Sequence, residues 1–280
     1  MTVVAKKLLV TAVLVACGSG ATASQQTPGC EDHTLSTGGI SLYYQTCGQG
    51  PSVLLLHGFQ QTGTLAWGRF IPALAAKYRL IVPDLRGHGR STNPSGEFTH
   101  RQSAVDMFAL LDSLGLQQVE AMGISSGAMT LLHMATRQPS RLEAMVLIGA
   151  TTYFPEQARQ IMRASTVESL TPEQYQAQRQ RHVQGDEQIR SLQKQFNAFK
   201  DSYDDMNFTP PYLSTITART LIIQGDRDQF FPLAIPMQMY TSIPKAYLWI
   251  VPNGGHVPIN AHADEFAAQA TQFLSGAWNR

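Results

Sequence analysis

From residue 52 onward, short unbroken apolar runs alternate with stretches whose apolar positions recur at helical spacing. The runs are Ser52–His57, Leu80–Asp84, Val119–Ser125, Ala144–Ala150, Thr220–Asp226 and Tyr247–Pro252. A strand buried on both faces needs no polar alternation, so these runs predict central strands of a sheet. Trp67–Lys77, His100–Leu114 and Gly127–Arg137 carry the helical period between them. Such alternation predicts a doubly wound, mostly parallel α/β sheet. Sites in such sheets form beyond the carboxyl ends of the strands.

One segment departs from the alternation. From 152 to 214 no strand pattern occurs, and Gln- and Arg-rich helical stretches take its place. Thr171-Pro172-Glu173-Gln174 supplies an N-cap, a first-turn proline and a capping-box glutamine. The segment reads as a helical cap inserted between two strands, a lid over the strand ends. Its apolar residues Tyr153, Phe154, Met162, Phe196, Phe199, Tyr203, Met206 and Phe208 are candidates to line a pocket. Most are expected to pack the lid's own core, and about a third to face substrate. The core domain is then 30–151 with 215–280.

The first 23 residues read as a targeting segment. Lys6-Lys7 precede the apolar run Leu8–Ala16, which is too short to span a bilayer but suits a secretory leader. Leu14-Val15-Ala16-Cys17 resembles a lipobox, which would leave a lipidated Cys17 as the mature N-terminus and a membrane tether. Ala21-Thr22-Ala23 offers ordinary cleavage after Ala23 as the competing reading. Either way the protein is expected to be exported, to the cell envelope, the periplasm or the medium.

Export implies an oxidising compartment, and Cys30 and Cys47 fit it. They lie equally far from Gly38-Gly39. A two-residue turn there sets them opposite each other at a non-hydrogen-bonded pair, close enough for a disulfide. Two free thiols are the alternative.

Candidate chemistry centres on Gly123-Ile124-Ser125-Ser126-Gly127, at the exit of an apolar strand and the start of a helix. A serine on so tight a turn needs small neighbours, and the turn lifts its hydroxyl out of the sheet. The pentapeptide alone also fits an ordinary glycine-rich turn, so partners decide. An activated serine needs a base, and the base an orienting acid. His133 lies two turns down the following helix and His182 within the lid, where solvation is expected. His262 stands at the start of the terminal helix. His256 follows the last strand in the flexible loop Asn253-Gly254-Gly255-His256. For the acid, Asp226 and Asp228 both close the preceding strand. Asp228 has more freedom to meet His256, and Asp226 is expected to hold backbone amides.

His57-Gly58-Phe59, Asp84-Leu85-Arg86-Gly87-His88-Gly89-Arg90-Ser91, the serine pentapeptide, Gly225-Asp226-Arg227-Asp228 and Gly254-Gly255-His256 follow one another in that order. In this the chain resembles the α/β-hydrolase fold family from the hairpin to the C-terminus. The resemblance implies an eight-stranded, mostly parallel sheet with an inserted helical cap. It implies Ser125 as nucleophile, His256 as general base and acid, and Asp228 as its orienter. It also implies an oxyanion hole from the backbone N–H groups of Phe59 and Ser126. His57, His88 and Asp84 are read as loop-shaping residues.

Haloalkane dehalogenases and epoxide hydrolases of similar layout carry aspartate at the elbow, so Ser125 turns the expectation to acyl chemistry. A carboxylic ester, lactones included, is the expected small-molecule substrate. C–C bond hydrolysis and cofactor-free perhydrolysis are the alternatives. A catalytically inactive binding protein would have lost a triad member, and none is lost. No metal-ligand cluster or dinucleotide fingerprint occurs in the sequence, so neither metal nor cofactor is expected. Formal net charge is +1 with no basic stripe, which argues against a nucleic-acid partner.

Overall fold

The computed structural model describes residues 29–278. The expected leader, with Cys17 and the Ala23 cleavage point, lies outside the described residues. The chain opens on a hairpin, β1 (Cys30–Thr37) and β2 (Ile40–Cys47). Gly38 and Gly39 turn it with φ of 54° and 76°, a pair of positive angles that matches the right-handed strand twist. The register runs from Thr37 opposite Ile40 out to Cys30 opposite Cys47. These cysteines are disulfide-bonded, with Cα atoms 4.3 Å apart, the spacing of a non-hydrogen-bonded pair.

Next come β3 (Ser52–Leu56), α1 (Gly63–Trp67), α2 (Ile71–Ala75), β4 (Arg79–Pro83), α3 (His100–Ser113) and β5 (Val119–Ile124). Helix α4 (Ser126–Arg137) and β6 (Leu142–Ile148) follow. Between β6 and the next strand lie α5 (Glu156–Ala164), α6 (Pro172–Arg181), α7 (Asp186–Ala198) and α8 (Pro210–Leu213). The chain closes with β7 (Arg219–Gly225), α9 (Ala234–Ser242), β8 (Ala246–Val251) and α10 (Ala263–Leu274).

The strands form one eight-stranded sheet in the order β1-β2-β4-β3-β5-β6-β7-β8. β2 pairs antiparallel with β1 and β4, and every pairing from β4 through β8 is parallel. Successive side chains of a strand alternate between faces. Leu54 and Leu56 therefore join Met107, Leu111 and Leu131 on one side, while Val53 and Leu55 join Trp67, Phe266 and Phe273 on the other. Burial on both faces explains why β3 to β7 read as unbroken apolar runs, whereas β8, expected to be central, is a half-buried edge strand.

Two elements differ from expectation. The helix anticipated over Trp67–Lys77 is split into α1 and α2, because Pro72 enters the first turn of α2 and cannot donate to a preceding turn. Helix α9 was not anticipated: it contains Pro236 and no charged residue, so nothing in its sequence marks a solvent face.

Candidate active site

Ser125 sits between β5 and α4 with φ 50° and ψ −113°, a conformation that costs a non-glycine residue on the order of 1–3 kcal/mol. Packing on either side enforces it. A Cβ added at Gly123 would stand 2.5 Å from Ala128 N and from the Gly127 carbonyl carbon. One added at Gly127 would run into the Leu56 carbonyl oxygen. Backbone cannot yield as a side-chain tip can. We therefore expect Gly123→Ala to lower unfolding stability by about 3 kcal/mol, read by chemical denaturation. An unchanged midpoint would mean that the turn relaxes freely.

Three strand ends bring the chemistry together. Ser125 Oγ lies 2.9 Å from His256 Nε2, and His256 Nδ1 lies 2.8 Å from Asp228 Oδ2. Nδ1–H donates to the carboxylate, which leaves Nε2 free to accept the serine proton. Asp228 Oδ2 also accepts from Gln224 Nε2 at 2.6 Å, and Oδ1 from the Phe230 N–H at 2.7 Å. Burial works to raise the Asp228 pKa. The bonds from His256, Phe230 and Gln224 outweigh it and hold the carboxyl below its ordinary range. Asp228 is thus ionised beside the His256 ring. Phe230 and Phe231 wall the imidazole, with ring centroids 4.7 and 5.3 Å away. Gly149 lies beneath the ring: a Cβ there would sit 3.2 Å from His256 Cε1.

The β3 exit loop closes on the same point. A Cβ at Gly58 would be 3.5 Å from Ser125 Cβ, which lays the start of this loop, one residue before Phe59, against the Ser125 turn. Ser126 N–H is the first amide of α4 and has no helical acceptor. Among the described residues, neither amide bonds a protein acceptor. Two unengaged amides beside a serine suit a developing oxyanion.

Residues 51–180 match the family model of the α/β-hydrolase fold. The chain has the α/β-hydrolase fold. A 2-hydroxy-6-oxononadienedioate/2-hydroxy-6-oxononatrienedioate hydrolase of Dechloromonas aromatica is 28% identical to it over 269 residues, covering 84% of this chain and 91% of that one. Human serine hydrolase BPHL is 26% identical over 247 residues, 86% of this chain and 85% of its own. The solved meta-cleavage product hydrolase CumD of Pseudomonas fluorescens has the same fold, with a TM-score of 0.73 at 22% identity over 88% of this chain and 98% of that one. Hydrolase activity is common to these relatives, and this α/β hydrolase is an enzyme of that broad kind.

Elsewhere in the hydrolase, His57 and His88 are loop-shaping residues. His57 Nε2 accepts the Leu85 N–H at 2.8 Å while Nδ1 donates to Gly58 O at 2.7 Å. His88 Nδ1 lies 2.9 Å from Arg86 O. Asp84 accepts the amides of Gly63 and Arg90, and burial pushes its pKa up to about 6. His133 packs in α4 and bonds Asp205 O, and His262 stands at the N-cap of α10.

Two expectations fail. His182 is buried rather than solvated, because its Nδ1 accepts the Gly89 N–H at 3.0 Å and joins the β6–β7 insertion to the loop after β4. Asp226 holds no backbone amide: its Oδ1 is buried without a partner, and Oδ2 lies 3.7 Å from Arg227 Nε. The turn at Gly225 aims the next amides at Gly254 O and Gly225 O instead.

The insertion's aromatics divide as their burial dictates. Phe196 and Phe199 pack on Phe59 beside the nucleophile, at 5.7 and 5.1 Å between centroids. Phe154, Met162, Phe199, Met206 and Phe208 are core, Phe196 is partly buried, and Tyr153 and Tyr203 are exposed. Sequence reading missed Gln224, a buried amide at the end of β7 that is one strand residue among apolar neighbours and carries no motif.

Proposed function

We propose that the protein is a serine hydrolase that cleaves carboxylic esters, lactones among them, through an acyl-enzyme. The hydrogen-bonded chain from Ser125 through His256 to Asp228 carries this reading. Ser125 Oγ attacks the ester carbonyl as His256 Nε2 takes its proton. The tetrahedral oxyanion accepts from the Phe59 and Ser126 N–H groups. His256 then protonates the departing alkoxide, and water, deprotonated by the same imidazole, releases the acid. The insertion acts as a lid whose Phe196 and Phe199 offer an apolar wall to the substrate. Its leader, in this reading, sends the enzyme to envelope or extracellular esters.

C–C bond hydrolysis is the second reading, and the relative in Dechloromonas aromatica favours it. A dienedioate-type substrate brings carboxylates that need a cation in a dry site. The buried arginines are committed elsewhere. Arg86 forks onto Asp106 at 2.7 and 2.9 Å, and Arg159 donates to the carbonyls of Phe154, Phe199, Lys200 and Ser202. A neutral acyl group suits such a wall better.

Two substrate sets separate the readings: p-nitrophenyl esters from acetyl to decanoyl, and a 2-hydroxy-6-oxo-dienoate. We expect kcat/KM for the best ester to exceed that for the dienoate by roughly 100-fold or more, the cost of leaving a charged group without its partner. Faster turnover of the dienoate would overturn the ester assignment in favour of C–C hydrolysis.

A further inference from the structure

Ser126 is more than the residue after the nucleophile. Its Oγ lies 3.1 Å from His100 Nε2, and His100 Nδ1 lies 2.6 Å from Asp205 Oδ2. Nδ1–H donates to the carboxylate, so Nε2 accepts the Ser126 hydroxyl. Asp205 also accepts the His100 and Arg101 amides at the start of α3, and its own carbonyl accepts from His133 Nε2 at 2.7 Å. The His100 ring is closed in by Phe98, Phe154 and Phe199. His100 and Ser126 are buried, so neither side chain is a route for substrate.

A polar chain in so dry a place is costly unless every member is fixed. This one ends on the hydroxyl of the residue whose own amide faces the oxyanion. Fixing that hydroxyl fixes the Ser126 side-chain torsion and the first turn of α4. Asp205 itself belongs to the insertion between β6 and β7.

The other oxyanion amide is tied to the same insertion. Gln60 follows Phe59 with φ 59°, a left-handed angle that a non-glycine residue keeps only under constraint. Its Nε2 donates to Gln193 Oε1 at 2.6 Å, and Gln193 is buried on α7. The Phe59 ring is held by Phe196 of the same helix.

We propose that the β6–β7 insertion sets the oxyanion hole, with Asp205 and His100 positioning the Ser126 amide and Gln193 positioning the Phe59 amide through Gln60. These are positioning residues, since none touches the reacting atoms. The proposal rests on the serine-hydrolase reading.

The test uses the full chain and Ser126→Ala, Gln193→Ala, His100→Leu and His100→Gln. A fluorophosphonate probe first reports whether wild type is labelled and Ser125→Ala is not. Then kcat and KM are measured on p-nitrophenyl butyrate, with Ki for a trifluoromethyl ketone that forms a tetrahedral oxyanion on serine. Ser126→Ala and Gln193→Ala should lower kcat roughly 10- to 100-fold, short of losing a donor outright. KM should stay within about twofold while Ki rises by the factor that kcat falls. His100→Gln retains an acceptor for Ser126 and should recover most of what His100→Leu loses. Ser126→Ala is the smallest change and decides the matter should the His100 variants misfold. If its kcat and Ki match wild type, or if only KM moves, the contacts merely fasten the insertion and the proposal falls. An unlabelled wild type would instead sink the serine-hydrolase reading, and this proposal with it.

Discussion

Replacing Ser125 by alanine should lower ester kcat by roughly 10⁵- to 10⁶-fold while leaving KM nearly unchanged, as expected for a nucleophile whose loss the remaining site cannot replace. The oxyanion amides and the aromatic wall still bind substrate, so a small residue of hydrolysis by water persists. Asp228→Asn should cost roughly 10⁴-fold, because an amide at 2.8 Å from His256 Nδ1 favours the wrong tautomer and leaves the imidazolium without its counter-charge. Gln224→Leu leaves the charge in place and removes one donor to Asp228, so its effect on kcat should be much smaller, roughly tenfold, and should appear mainly as a shift of the acid limb of the pH–rate profile. Steady-state kinetics on one activated ester checks all three. Equal losses in the three variants would mean that folding, rather than chemistry, is being measured. Ester turnover that survives Ser125→Ala intact would remove the acyl-enzyme from consideration.

Much of this site was legible because its parts lie at strand ends, where glycine and polar residues interrupt an apolar run. Ser125 and Asp228 follow the buried strands β5 and β7 and His256 follows the half-buried edge strand β8, and the sheet's parallel register alone brings those ends together: Ile124 pairs with Ile148, Ile148 with Ile223, and Gly225 with Val251. The hairpin was legible for the same kind of reason, since Gly38-Gly39 fixes register by counting. What escaped lies off that pattern. His100 opens α3 and looks like an ordinary exposed first-turn residue, and its partner Asp205 is 105 positions away. No spacing links them, because the contact is made by the return of the insertion onto α3 and α4. His182 was misread for the same reason: its Gln- and Arg-rich surroundings suit solvent, yet the fold lays it against the Gly89 amide. The relation of the insertion to the core depends on such tertiary contacts, and periodicity along the chain does not encode them.

The buried histidines predict the second large effect, a loss of stability between pH 7 and pH 5. Burial depresses the pKa of His88 and His133 to about 4 and of His182 to about 3, and drives His57 well below its ordinary value. Neighbouring imidazoles add to this for His57 and His182, since the rings of His57 and His182 lie 5.1 and 6.0 Å from that of His88. Hydrogen bonding agrees: His57 Nε2 and His182 Nδ1 each accept a backbone N–H, so a proton on either nitrogen would oppose a donor. A group whose folded pKa is depressed takes up its proton more readily when unfolded. For a histidine, that contribution to stability is complete above about pH 6.5 and drains away as pH falls toward the folded value. By pH 5 each such histidine gives up about 2 kcal/mol. Asp84 and Glu120 act in the opposite sense, because burial raises their pKa values to about 6 and about 7, and their protonation in the folded state returns part of the loss. The histidines outnumber them, so a net fall of about 3 kcal/mol is expected, equivalent to roughly 10 °C in thermal midpoint. Calorimetry at pH 7, 6 and 5 in matched ionic strength reads it directly. His182→Asn supplies an acceptor for the Gly89 amide and does not titrate, so it should flatten the decline by about 2 kcal/mol. A midpoint that stays level from pH 7 to pH 5 in wild type would mean that these rings either carry their protons in the fold or are reached by water.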